Sequence, residues 1–272
     1  LGSARRSNLG LLLSDDLGKP DYFDVFGELA VYLNPDTRLA FNALYADDQV
    51  LVITESDPSE LEQSRSNTRN THAWFRLENQ WTANLSSDSS IWLSSLDNSR
   101  IAEVNDPEQM LAAVNDQRDI KSYGLSQQWN FDGFADHHLR WGFEWTWDDA
   151  RYDYHSHAEY FEFAANWPGF ENPTETVIQV NPRGHRYGVY IADRWQFSES
   201  SAVDLGLRWD SQHYTKPKFN DQLSPRISFL RSFGPDVELR LTWGRYYQSQ
   251  AIQRLQVEDD VDQFFAPQRA DH

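Results

Sequence analysis

The sequence predicts an all-β fold: an antiparallel, up-and-down transmembrane β-barrel, partial, with about ten or eleven strands of a larger barrel. Three observations predict it. First, four segments between residues 185 and 248 alternate between apolar and polar positions. In residues 201–214, Val203, Leu205, Leu207 and Trp209 share one side, and Asp204, Gly206, Arg208 and Asp210 the other. In residues 237–248, Val237, Leu239, Leu241 and Trp243 oppose Glu238, Arg240, Thr242 and Gly244. Second, the polar side carries charge in mid-strand, which suits a wet lumen better than a closed core and turns the apolar side to lipid. Third, short and long connections alternate, as in a meander with its short turns at one end and its long loops at the other.

Composition narrows the classes. With 272 residues the chain is long enough for one large β unit. It has no cysteine and one methionine, Met110, which excludes a disulfide framework, thiol catalysis and thiolate metal sites. A net charge of −18 makes nucleic acid a poor partner, because phosphate binding needs clustered Lys and Arg. Eleven tryptophans in so polar a chain fit interfacial girdles, at positions such as Trp147, Trp195 and Trp209. No apolar run reaches the length of a membrane helix, a test that a barrel escapes because alternate strand residues are polar. Leu9–Leu13 is too short for a signal peptide and is followed at once by Asp15 and Asp16. With Leu1 at its start, the chain reads as part of a longer protein.

In order, residues 5–14 form a weak strand and residues 24–34 a clear one. Asn34-Pro35-Asp36-Thr37 is a turn, and residues 38–46 return. Residues 47–70 read as a long polar link. Strands at 71–85 and 90–96 flank a turn at 86–89. Residues 97–118 read as a second long link. Within it, Asp106, Pro107 and Glu108 predict a helix to about Val114: an N-cap, proline at the first helical position and an acid in the first turn. Strands at 122–131 and 138–147 meet around Asp132-Gly133. Residues 148–184 form the longest link, crowded with aromatics and histidines. The last four strands, at 185–197, 201–214, 223–233 and 237–248, are joined by tight turns at 198–200 and 234–236 and a longer link at 211–222. Alternation puts Asp193 on the lipid side, close enough to the turn to reach the headgroups.

Residues 114–129, 138–154, 205–214, 222–229, 243–260 and 264–272 resemble the barrel of TonB-dependent outer-membrane receptors. Leu223-Ser224-Pro225-Arg226, Trp243-Gly244-Arg245-Tyr246-Tyr247-Gln248 and Gln268-Arg269-Ala270-Asp271-His272 carry the resemblance most specifically. It implies a 22-stranded barrel around a plug, energised import of a scarce ligand, a Gram-negative outer membrane and coupling to a TonB complex through the plug. No plug-like region or TonB box is present, so residues 1–272 are expected to be a middle portion of the barrel, ending where a further strand should begin. The ligand does not carry over.

The candidate sites lie on the two polar surfaces of this wall. Arg140, Glu144, Arg194, Asp204, Arg208 and Arg240 are expected to face the lumen, with Arg76, Glu78 and Glu238, as a charged ladder that neutralises facing strands, holds a plug or lines a channel. Tyr152, Tyr154, His155, His157, Tyr160, Trp167 and Phe170 lie in the longest link. There they contact a small ligand or pack against neighbouring loops. The acids interleaved with them disfavour a strongly anionic ligand. Asp153, His155 and His157 lack the further ligands that a metal site needs. No nucleophile motif occurs, and no cofactor or enzymatic activity is expected. Other readings are a passive porin-like channel, an outer-membrane enzyme without a visible catalytic set, and a soluble carbohydrate-binding β protein.

Overall fold

The computed structural model describes residues 1–7, 19–55, 60–161, 171–214, 222–257 and 264–272. Among the described residues, thirteen strands form the sheet: β1 (Gly2–Arg6), β2 (Lys19–Asn34), β3 (Thr37–Glu55), β4 (Glu62–Thr82), β5 (Leu85–Asp106), β6 (Met110–Phe134), β7 (His137–Tyr160), β8 (Thr174–Val180), β9 (Arg183–Ser198), β10 (Ser201–Gln212), β11 (Gln222–Ser232), β12 (Glu238–Gln248) and β13 (Gln268–Asp271). Each pairs antiparallel with its sequence neighbour, except that β8 and β9 both pair with β7, so the sheet is an open meander. β9 takes His137–Asp149 of β7 and β8 takes Tyr152–Ala158. The two are one strand interrupted at Asn181-Pro182, where the Pro182 carbonyl still accepts the Ala150 N–H at 2.9 Å.

The strands are more numerous and longer than the sequence predicts. β5, β6 and β7 run 22, 25 and 24 residues. The expected links at 47–70, 97–118 and 148–184 are largely strand. In Glu62–Thr71 both faces are polar, so no period of two marks the pleat. The helix expected after Asp106 is a tight turn between β5 and β6. Its side-chain carboxylate accepts the N–H groups of Glu108 at 2.9 Å and Gln109 at 3.1 Å, capping a turn where a helix N-terminus was expected. The turn expected at 86–89 lies between β4 and β5, at Ala83-Asn84, and the one at Asp132-Gly133 lies at Ala135-Asp136. A final strand, β13, occupies residues read as an end and pairs Gln268–Asp271 with Arg245–Gln248. Of the weak strand at 5–14, β1 holds only the first residues, and 8–14 fall outside the described ones. The turns at Asn34–Thr37 and 198–200 fall where expected; in the first, Asn34 Oδ1 accepts the Asp36 N–H at 2.9 Å. The β11–β12 turn needs Gly234, whose φ of +122° suits no L side chain.

Register sorts the side chains into two faces. Leu205 and Leu207 of β10 pair with Asp193 and Ile191 of β9, and with Ile227 and Pro225 of β11. Phe143, Trp145, Leu239 and Leu241 lie on the same side by the same count. This apolar face is open to the surroundings: Leu29, Ile91 and Leu241 are 70%, 66% and 58% exposed. It has two edges. At the turn end an aromatic chain runs across the strands. Trp129 stacks between Trp81 and Trp141, and Phe134, His137, Trp195, Phe197 and Phe229 follow at centroid spacings of 5.5–6.4 Å. Asp193, a charge on this side, is held by His137 at 2.7 Å within that chain. At the other end the register row Leu93–Tyr123–Trp147–His185 is the last apolar one; the next is Ser95–Lys121–Asp149–Arg183. From His185 to Trp195 a strand tilted by roughly 40° rises about 25 Å, the height of the apolar band of a membrane barrel.

Candidate functional site

The opposite face is polar and internally paired. Arg38 bridges Glu28 and Glu78 at 2.9 Å each, and Arg76 bridges Glu78 and Asp88. Arg208 lies between Glu144 at 3.0 Å and Asp210 at 2.8 Å, and Arg194 approaches Asp204 at 3.9 Å. Arg140 and Arg240 share this face through the pairs Arg140–Ala192 and Leu230–Arg240. The six charged residues singled out in the sequence therefore lie on one face, four of them in two clusters, Glu144–Arg208 and Arg194–Asp204. Two glycines make room for side chains that lie flat on the sheet. A Cβ on Gly188 would meet the Arg208 guanidinium at 2.6 Å, and one on Gly124 the Trp92 indole at 2.3 Å.

Beyond the apolar belt this face is covered. After β12 the chain turns back across the sheet through a short 3-10 turn, Ile252–Arg254. Ile252, Leu255, Val257 and Phe264 bury themselves against Ile120, Ala150, Tyr152, Tyr154 and Tyr214, a hydrophobic core built on a polar face. The Tyr152 hydroxyl donates to the Ile252 carbonyl, and the Gln250 carbonyl accepts from Gln212 Nε2 at 2.6 Å and from the Tyr214 hydroxyl at 2.8 Å. Below the segment, Asp148 is 1% exposed and receives Arg186 Nε at 2.6 Å and Ser122 Oγ at 2.7 Å. A cavity of about 90 Å³ lies between Ser249 and the Glu144–Arg208–Asp210 cluster. Gln212 Oε1 and Gln222 Nε2, both in its lining, have no partner among the described atoms.

Burial pushes the Tyr152 hydroxyl up to about 12, and burial likewise raises Tyr214 against the lowering effect of Arg186. A hydroxyl whose folded value lies above its unfolded value of about 10 contributes its stabilisation in full below pH 10 and loses it as pH rises through the folded value. The segment should therefore stay docked at pH 9 and release near pH 12, read as the gain in mobility of a nitroxide attached at Gln253 in the intact protein. Tyr152→Phe removes the bond to Ile252, about 1 kcal/mol, and should weaken this pH dependence, with Tyr214 carrying what remains.

The aromatic set singled out in the sequence is divided by the sheet. Tyr152 and Tyr154 are buried under the folded segment. His155 and His157 lie on the opposite face, where His155 Nε2 meets Asp153 at 2.9 Å. The backbone N–H and C=O of Tyr160 both bond the Asn172 side chain at 2.8 Å. Trp167 and Phe170 lie outside the described residues. Tyr214, Gln212 and the Ile252–Val257 segment were not legible as a site. The one sequence signal for them is three apolar residues in a stretch without strand period.

Long antiparallel strands, an exposed apolar belt between aromatic edges and a charged opposite face define the wall of a transmembrane β-barrel. The chain belongs to the family described as TonB dependent receptor-like, beta-barrel, whose model matches residues 12–271. That is a family of Gram-negative outer-membrane receptors and transporters rather than enzymes. No curated protein matches the chain. Among solved structures, it is similar to FpvA of P. aeruginosa bound to heterologous pyoverdines (TM-score 0.62, 13% identity), covering 94% of this chain and 39% of that one. It is also similar to BauA, the ferric preacinetobactin receptor of Acinetobacter baumannii (TM-score 0.58, 15% identity, 99% and 45% covered). The RagAB peptide importer is similar at TM-score 0.52 and 7% identity, with 91% and 34% covered. At these identities the likeness is one of fold, and the chain spans less than half of each of those proteins.

Proposed function

We propose that this chain is barrel wall and extracellular vestibule of an outer-membrane receptor that takes up a scarce small ligand with energy from a TonB complex. The apolar face meets outer-membrane lipid, and the polar face, with Arg140, Glu144, Arg194, Asp204, Arg208 and Arg240, is the lumen. Residues 1–272 form one portion of that barrel, the plug and the remaining strands belonging to the rest of the receptor. The observation that carries this reading is the height of the strands: β5–β7 each continue 13 residues past the last apolar row, and a folded segment covers their polar face. A passive channel needs no such vestibule, whereas a receptor that must hold a ligand before moving it does. Similarity to FpvA and BauA favours a metal-siderophore ligand over a peptide, and the wall carries no catalytic role. Tyr152 and Tyr154 then anchor the folded segment, and His155 and His157, on the outer face, are not ligand contacts, which leaves Tyr160, Trp167 and Phe170 as the candidates for ligand contact.

Uptake of a labelled ferric siderophore by cells expressing the intact protein tests this. Uptake should stop when the proton-motive force is collapsed or the TonB complex is deleted. Uptake that persists in both conditions would establish the passive channel instead.

A further inference from the structure

The apolar face is not uniform. Leu125, Phe143, Trp145, Tyr187, Val189 and Trp209 wall a groove of about 720 Å³, within the ordinary size of a small-molecule site. All six lie on the apolar face of β6, β7, β9 and β10. The groove opens along the belt and ends upward at Ser211 and His213, which line it too. His213 continues the ladder through its N–H to the His185 carbonyl at 3.0 Å, so the two histidines are neighbours on this face. Trp145 Nε1 donates to His185 Nδ1 at 3.1 Å, which leaves His185 Nε2 to act as the donor of a neutral ring. Trp147 and Tyr187 hold the His185 ring at centroid distances of 4.4 and 5.7 Å, and Tyr187 meets His213 edge-on at 5.5 Å. The next row outward carries Lys121, Asp149 and Arg183, two cations about one acid.

An apolar slot inside the belt, closed at headgroup height by two histidines and then by a row with excess positive charge, matches one kind of molecule. We propose that this groove is a lipid site: it holds an acyl chain of a phosphate-bearing lipid from the leaflet on the vestibule side, with the phosphate at His185, His213 and Arg183. The slot rests on the reading of the apolar face as the lipid-facing one. Ordinary belt lipid has no fixed partner. Here the chain lies between aromatic side chains, and the phosphate gains ring N–H donors that a bare belt does not offer.

The test uses the intact protein in nanodiscs of phosphatidylcholine with one-tenth phosphatidylglycerol or, separately, one-tenth diacylglycerol, followed by native mass spectrometry. The wild type should keep one phosphatidylglycerol and no diacylglycerol. Val189→Trp fills the slot and should lose that lipid, whereas Val31→Trp, on the same face but outside the slot, should keep it. His185→Ala with His213→Ala should reduce retention of phosphatidylglycerol at least tenfold. Equal retention by the wild type and both tryptophan variants, or equal retention of the two lipids, would overturn the slot and leave the barrel reading standing. A protein that does not enter the discs would overturn both.

Discussion

Replacing Arg186 by methionine is expected to destabilise the intact protein by about 3 kcal/mol, the largest single effect anticipated on the polar face. Asp148 is 1% exposed, and besides Arg186 its partner is Ser122. Removing the guanidinium strands a carboxylate that water does not reach. The cost falls at the lower end of the range for broken buried pairs because the Arg186 side chain is itself 36% exposed. Asp148→Asn should cost less, since a neutral amide still accepts from Arg186 and Ser122. Equilibrium unfolding by urea from lipid bilayers gives both values. An Arg186→Met loss no larger than that of Asp148→Asn would show that the pair is hydrated.

Leu207→Arg is the second large effect, about 2–4 kcal/mol for a charge set near the middle of the bilayer. Leu207 pairs with Ile191 and Pro225, two rows above the Trp195–Val203–Phe229 row of the aromatic chain. Leu241 pairs with Phe229 in that chain, so arginine there should cost at most about 1 kcal/mol, as expected near an interface. Arg240→Leu, on the other face, should also stay within about 1 kcal/mol. The same unfolding measurement orders the three. If Arg240→Leu proved the costliest, the faces would be exchanged, a slip of one residue in register.

The sequence was most informative where one face of a strand meets lipid and the other water. Leu205 and Leu207 against Arg208 state the pleat outright, and the turns at Asn34–Thr37 and 198–200 follow from residues that favour tight reversals. Above the belt that contrast ends. Glu62–Thr71 and Ser94–Asp106 have polar residues on both faces, so their strands are specified by pairing with neighbours and not by their own pattern. Asp106 shows how the same chemistry serves two structures, since a carboxylate that accepts two backbone N–H groups caps a helix or closes a hairpin equally well. The covered site was the least legible. Ile252, Leu255 and Val257 carry no period, and they are buried because Tyr152, Tyr154 and Tyr214 come together from β7 and the end of β10, far off in sequence.

A nitroxide scan of residues 185–197 along β9, in the intact protein in bilayers, tests the central claim most directly. If this is a barrel wall with its apolar face in lipid, oxygen accessibility should peak at 187, 189, 191, 193 and 195 and drop at the even positions between them. It should reach its maximum near 189–191 and give way to accessibility to water-soluble relaxers at 185 and beyond. Peaks at the even positions, or water-level accessibility throughout, would contradict the account.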